Sequence, residues 1–107
     1  MDGRFVPNIS FGFPVMKSVA KVATKPLDVH LMIVEPDKYI EKFAELGADA
    51  ISAHIEADPH IHRTLSHIRS LGEKYGKKIM SGVAINPGTP INQLQDILHL
   101  ADLVCVM

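Results

Sequence analysis

The side chains best suited to chemistry lie on a short stretch in which apolar and polar residues alternate. Between Pro26 and Ile33, Asp28, His30 and Met32 occupy every second position, and aliphatic residues stand between them. A period of two is typical of a β-strand, so the three side chains share one face. An imidazole placed there can bind a metal, transfer a proton or simply hold an interior hydrogen bond. Taken alone, His30 is best interpreted as an interior histidine that holds a hydrogen bond.

A second stretch repeats the pattern and strengthens the functional interpretation. Between Ala50 and Glu56, the polar residues Ser52, His54 and Glu56 alternate with aliphatic or small ones. Two neighbouring strands of this kind present a joint polar cluster at one face of a sheet. The pair His60 and His62 is a weaker candidate, because residues two apart on a helix point in different directions.

These strands belong to a regular alternation of strands and helices. The predicted strands span 26–33, 50–56, 79–85 and 102–107, and the predicted helical segments begin at Pro14, Pro36, Pro59 and Pro90. Proline suits the first turn of a helix, Asp58 is placed as an N-cap, and Gly47 and Gly76 are placed as helix ends. Apolar stripes are expected at Val15, Val19 and Val22 in the first helix and at Ile61, Leu65, Ile68 and Leu71 in the third.

Alternating strands and helices predict βαβ units and a parallel sheet within a single domain spanning residues 1–107. Both a doubly wound open sheet and a (β/α) barrel fit this order. The central strands of a doubly wound sheet are buried by helices on both sides and should be apolar on both. The strands predicted here are polar or small on one side, which favours the barrel, whose inner positions near the strand ends can be functional.

Composition excludes several classes of partner. Eleven Lys and Arg residues against twelve Asp and Glu leave a net charge of -1, which supplies no basic surface for a nucleic acid or an anionic membrane. No apolar run approaches the roughly 20 residues of a membrane helix, and the first residues do not resemble a signal peptide. Cys105 is the only cysteine, so no internal disulfide is possible. We therefore expect a cytoplasmic protein without membrane contact.

Five segments in register carry a resemblance to a known family. They are Met1–Asn8, Leu27–Met32, Gly47–Ala50, His54–Ala57 and Asn86–Pro90. In order and spacing they resemble ribulose-phosphate 3-epimerase across essentially the whole chain. The resemblance implies an isomerase that interconverts D-ribulose 5-phosphate and D-xylulose 5-phosphate by moving a proton on the carbon beside the carbonyl, through an enediolate.

The resemblance also implies the roles of individual residues. His30 matches the family's catalytic histidine, which binds a divalent metal and contacts substrate. The metal would be zinc in the first place, with iron, manganese or cobalt as alternatives. Met1, Met32 and Met107 match methionines that line the substrate site near the reacting carbons. The implied partner is a phosphorylated ketopentose, and two aspartates would move the proton from opposite sides of it.

The chain departs from the family pattern at both ends. The family's His-x-Asp pair directly precedes the Met1 motif, and its second aspartate and phosphate loops follow later strands. We therefore expect an α/β fold that is an incomplete (β/α) TIM-type barrel, covering roughly the end of strand 2 to strand 6. Alone, the 107-residue chain is expected to be inactive, and exposed strand edges favour a homo-oligomer. Two alternatives are a non-catalytic barrel fragment or assembly module, and a related ketose-phosphate 3-epimerase such as one acting on allulose 6-phosphate.

Overall fold

A computed structural model describes all 107 residues and contains four strands and three α-helices. The strands are β1 (Asp28–Leu31), β2 (Ala50–His54), β3 (Met80–Ile85) and β4 (Leu103–Val106). The α-helices are α1 (Phe13–Ala20), α2 (Ile40–Glu45) and α3 (Ile61–Lys74). Short 3-10 helices span Pro36–Lys38, Ile55–Ala57, Ile91–Leu94 and Leu98–Leu100. All four predicted strands are confirmed, each shorter than predicted.

The sheet distinguishes between the two architectures that the sequence left open. All three strand pairs are parallel, and the order across the sheet is β1-β2-β3-β4. A doubly wound sheet reverses its strand order at a switch point, whereas a barrel adds each strand beside the previous one. The sequential order therefore agrees with part of a (β/α) barrel, as the polar inner face predicted.

The hydrophobic core lies between the sheet and the helices. One face of the strands contributes Leu31, Ile51 and Val83, and these pack in one cluster with helical residues such as Ile40 and Leu65. Ile40, Ile51, Leu65 and Val83 are completely buried. Full burial of an aliphatic side chain contributes about 1.5–3 kcal/mol. This packing fixes which strand face is left for the polar residues.

The third helix allows its predicted apolar stripe, helix end and N-cap to be compared with the structure. Ile61, Leu65, Ile68 and Leu71 are all buried, and Gly76 follows the helix with a positive φ of 68°, as predicted for a helix end. The prediction that Asp58 is the N-cap was wrong: the N-cap is His60, no side chain caps the helix, and Asp58 lies two residues earlier. Its carboxylate accepts the N–H of His60 at 2.8 Å and the hydroxyl of Thr64. The helix itself begins at Ile61.

Two other expectations about the helices were wrong. The segment after Pro90 forms two 3-10 helices instead of one α-helix. Leu94, which ends the first of them, and Ile97, in the turn between them, are the buried apolar residues of this segment. In α1 the valine stripe is exposed, and Met16 is the buried residue. Val15 and Val19 instead line a cavity along the unpaired edge of β1.

None of the helices combines the length and apolar character that crossing a membrane would require.

Gly82 offers a direct test of packing across the inner face of the sheet. It pairs with Ser52 on β2, and a Cβ built on it would lie 2.6 Å from the Ser52 Cβ and 2.6 Å from Leu103 Cδ1. The Ser52 Cβ cannot move without its strand, so Gly82→Ala should destabilise the fold by about 1–3 kcal/mol. Urea unfolding would measure this difference.

Gly88→Ala is the matched control for Gly82→Ala, because nothing lies within 4 Å of a Cβ at that position. The control should leave the unfolding midpoint unchanged or slightly higher. Equal midpoints for Gly82→Ala and the unmodified protein would contradict the close approach of β2 to β3.

Candidate functional site

His30 lies near the carboxyl end of β1 and is held by hydrogen bonds on both ring nitrogens. Its register partner on β2 is Ser52, whose Oγ is 2.9 Å from His30 Nδ1. On the other side of the ring, His30 Nε2 is 3.0 Å from Nε2 of His54. The predicted polar faces of the two strands therefore meet, and His30, Ser52 and His54 form one cluster.

His54 is the interior member of this cluster. Its side chain is completely buried, and its ring meets that of His30 nearly edge-on, at an interplanar angle of 75°. The Phe5 ring packs against it with centroids 4.8 Å apart. Nδ1 of His54 is 3.4 Å from a carboxylate oxygen of Glu56, but it makes no hydrogen bond.

Glu56 connects the histidines to the loop that follows β3. Its Oε1 accepts the backbone N–H of Asn86 at 2.6 Å and the hydroxyl of Thr89. The other oxygen, Oε2, is the one that faces His54. The turn predicted at Asn86–Pro90 is thus anchored by a carboxylate from the neighbouring strand end.

Burial controls the charge of both histidines. Burial lowers the pKa of His30, and the nearby His54 lowers it further, while Asp28 partly opposes the change. Burial also lowers the pKa of His54 against the opposing effect of Glu56. Both imidazoles are therefore neutral at neutral pH, and in each ring one nitrogen carries a proton and the other a lone pair.

The three methionines singled out from the sequence occupy different places. Met1 and His30 line the same largely apolar cavity, of about 260 Å³, along the edge of β1. Met32 directly follows β1 and is partly buried. Met107 directly follows β4, at the far edge of the sheet, and its sulfur is 3.7 Å from that of Cys105. The structure thus brings Met1 close to His30 and leaves Met107 three strands away.

Asp2 has a positioning role that the sequence did not indicate. Its Oδ1 accepts the N–H groups of Arg4 and Phe5, both at 2.9 Å, and its Oδ2 accepts that of Val34 at 2.7 Å. The first two bonds form a local turn of the type that Asp favours. The third spans 32 positions, so only the fold reveals it. Asp2 thereby ties the Met1 segment to the loop after β1.

A larger cavity, of about 510 Å³, lies at the amino ends of the strands. Its lining includes Arg69, Lys77, Lys78 and Asp102. Its lysines are paired with carboxylates: Lys78 Nζ lies 3.5 Å from Asp102, and Lys77 Nζ lies 2.9 Å from Asp49. In (β/α) barrels the catalytic residues lie at the carboxyl ends of the strands. We therefore interpret this cavity, at the amino ends, as having no catalytic role.

The residues of this chain fit one ligand of a metal site. His30 is neutral and lies near the strand end, and Ser52 holds its Nδ1, a second contact of the kind that metal-binding histidines commonly have, while its Nε2 contacts His54. No group of three or more His, Cys, Asp or Glu side chains is placed to hold an ion.

Comparison with known proteins shows which family this chain belongs to. The family model described as the ribulose-phosphate 3 epimerase family matches residues 1–107. The chain belongs to this family. It is 52% identical over 107 residues to ribulose-phosphate 3-epimerase of Rhodobacter capsulatus, covering 100% of this chain and 44% of that protein.

Two further members of the epimerase family also match the whole of this chain. The enzyme of that name from Synechocystis is 50% identical over 109 residues, covering 100% of this chain and 45% of the relative. A chloroplastic ribulose-5-phosphate-3-epimerase from Arabidopsis thaliana is 47% identical, with 37% of its length covered. The chain thus spans less than half the length of these relatives.

The Asp2 contacts predict an unusually acidic carboxyl group. Desolvation acts to raise its pKa, but the N–H groups of Val34, Arg4 and Phe5 outweigh it and lower the pKa from 3.8 to about 2. The ionised group should therefore stabilise the loops fully above pH 3.8, and this contribution should be lost as the pH falls through about 2. Carboxyl-carbon NMR would measure the titration, and Asp2→Asn would assign the resonance. A pKa at or above 3.8 would contradict the three contacts.

Proposed function

We propose that these 107 residues act within a ribulose-phosphate 3-epimerase, interconverting D-ribulose 5-phosphate and D-xylulose 5-phosphate. The observation that carries the proposal is the match of the whole chain, at 52% and 50% identity, to relatives that bear this name. The placement of His30 at the carboxyl end of a parallel strand supports it, because barrel enzymes place their reacting groups at that end.

Within this proposal, His30 is the catalytic residue of the segment and binds both substrate and a divalent metal. Its lowered pKa keeps the ring neutral, so the nitrogen with the lone pair can act as a ligand or bind a substrate oxygen, in place of its contact with Ser52 or His54. A divalent ion bound there would neutralise the negative charge that develops on the carbonyl oxygen. Zinc is the first candidate, followed by iron, manganese and cobalt, since imidazole suits several of these metals.

Met1, Met32 and Met107 are proposed as substrate contacts. Thioether side chains are flexible and apolar, so they can cover the carbon skeleton of a ketopentose and keep water from the reacting carbons. Met1 lies near His30, since both residues border the unpaired edge of β1. The remaining two lie directly after β1 and β4, at the carboxyl ends of these strands.

The proposed setting of the segment follows from its sheet. Residues 1–107 would form one part of a single barrel domain, with further strands beside the unpaired edges of β1 and β4. The proton-transferring aspartates would come from those strands. We further propose a homo-oligomer in the cytoplasm, which size-exclusion chromatography and cell fractionation would test.

Replacing His30 tests its role at the site. In a full-length protein that contains these residues, His30→Asn should lower bound metal and reduce kcat/KM by more than about 100-fold, since losing even a hydrogen-bond partner of a metal ligand costs about 10- to 100-fold. Elemental analysis and a coupled epimerase assay would measure the two effects. His62→Asn, on an exposed position of α3, is the control and should change neither. Unchanged metal content and turnover in His30→Asn would remove His30 from the site.

The isolated segment should not catalyse the reaction. We expect the 107-residue chain to leave the proton beside the substrate carbonyl unexchanged in deuterated water, because the bases proposed to move it lie elsewhere. Proton NMR of the substrate would follow the exchange, and a full-length protein should exchange it rapidly under the same conditions. Rapid exchange by the isolated chain would show that a base within these residues performs the transfer.

A further inference from the structure

The loop after β1 contains the least favourable backbone conformation of the chain. Glu35 has a φ of 51° and a ψ of 52°, in the left-handed region, and no other non-glycine residue has a positive φ. It also precedes Pro36, and a residue before proline prefers an extended backbone. Such a conformation persists only where the surrounding structure holds it, and it is frequent at functional sites. The contacts around Glu35 must therefore compensate for its strain.

Two backbone N–H groups of this loop are held by other segments at the carboxyl ends of the strands. Val34 N–H donates to Oδ2 of Asp2 at 2.7 Å, and Glu35 N–H donates to the carbonyl oxygen of Ala57 at 3.3 Å. The loop is thereby held between the N-terminal segment and the 3-10 helix that follows β2. The ion pair of Glu35 with Lys38 adds little, because both side chains are more than half exposed. Backbone contacts, and not the Glu35 charge, keep the loop in place.

Met32 lies between β1 and the strained residue. It follows β1 directly, is partly buried and stands three residues before Glu35. Because neighbouring residues have fixed covalent geometry, the places where Val34 and Glu35 are held limit where Met32 can lie. Asp2 also directly follows Met1 in the chain. One carboxylate thus connects the backbone segments that carry two of the proposed substrate contacts.

We propose that Asp2 and Glu35 are positioning residues that hold Met32, and with it Met1, in place against the substrate. The proposal rests on the proposed function, in which the two methionines contact the ketopentose. Neither Asp2 nor Glu35 is required to touch substrate. Asp2 acts through its hydrogen bond with Val34, and Glu35 acts through the left-handed turn that leads the chain from Met32 into the following 3-10 helix.

Asp2→Asn removes the contact between the two segments selectively. Oδ1 of Asp2 accepts the N–H groups of Arg4 and Phe5, a local turn that Asn also favours, so the amide oxygen should take that place. The NH₂ group then faces the Val34 N–H, and two donors cannot bond to each other. In the full-length holoenzyme that contains these residues, we expect faster deuterium exchange of the Val34 amide and a loss of kcat/KM of about 10- to 100-fold, the effect of a small misplacement at a reacting centre. Unchanged kcat/KM would overturn the proposal.

Two substitutions of Glu35 separate its backbone conformation from its side chain. Asn tolerates the left-handed region, whereas a β-branched residue is an outlier there. Glu35→Asn removes only the exposed ion pair with Lys38 and should keep kcat/KM within about fivefold. Glu35→Val should lower kcat/KM about 10- to 100-fold, because its backbone resists the turn. Equal kcat/KM of the two variants would overturn the role of Glu35.

A double-mutant cycle with Met32 tests whether Asp2 acts through this side chain. If it does, Met32→Ala has already removed what Asp2 positions, so adding Asp2→Asn should cost at least about threefold less kcat/KM than it does alone. A merely structural role would lower kcat/KM by the same factor in both backgrounds, and that result would overturn the proposal. Asp102→Asn is the matched control, since Asp102 also accepts a backbone N–H, that of Ser81 at 3.0 Å, but at the amino ends. Its effect should combine additively with Met32→Ala, within about twofold.

NMR without substrate separates this proposal from the proposed activity. In a full-length protein that lacks epimerase activity, faster exchange of the Val34 amide and a shifted Met32 methyl resonance in Asp2→Asn would refute the function and leave the positioning of Met32 standing. An active epimerase with additive effects in the cycle would refute the positioning role alone.

Discussion

The register between β1 and β2 is the constraint on which the site depends. It places His30 opposite Ser52, and because side chains alternate between faces, a slip of one residue would turn His30 towards the helices. Two features hold this register. Leu31 and Ile51 are buried on the helix side, and the Asp49 carboxylate accepts the N–H of Leu27 at 2.8 Å just before β1 begins. Apolar packing and a local polar contact thus determine where the imidazole points.

Carboxylates perform different tasks at the two ends of the sheet. At the amino ends, Asp49 and Asp102 accept backbone N–H groups and pair with nearby cations, so they fasten strands to the preceding segments. At the carboxyl ends, Asp2 and Glu56 hold loops that surround His30 and His54. This division agrees with barrels in general, where one end serves stability and the other serves chemistry.

Sequence patterns predicted what depends on short-range periodicity. The alternation around His30 and His54 placed both on one face, and the apolar stripe of α3 was buried as expected. Contacts between distant segments were beyond reach, because Glu56 meets Asn86 and Thr89 across 30 and 33 positions and no spacing rule links them. The prediction that the valine stripe of α1 is buried was wrong for a related reason. An apolar helix face indicates that something covers it but not which surface does so. In this structure Val15 and Val19 are about 41–42% exposed.

Glu56 gives two parts of the protein one shared support. Its two oxygens serve the loop after β3 and the buried His54, so a substitution in either neighbourhood changes the geometry available to the other. Free-energy effects of changes at Thr89, Glu56 and His54 should consequently not add, as is usual for residues of one polar network. A substitution in that loop should therefore also alter the surroundings of His54, through the carboxylate that both share.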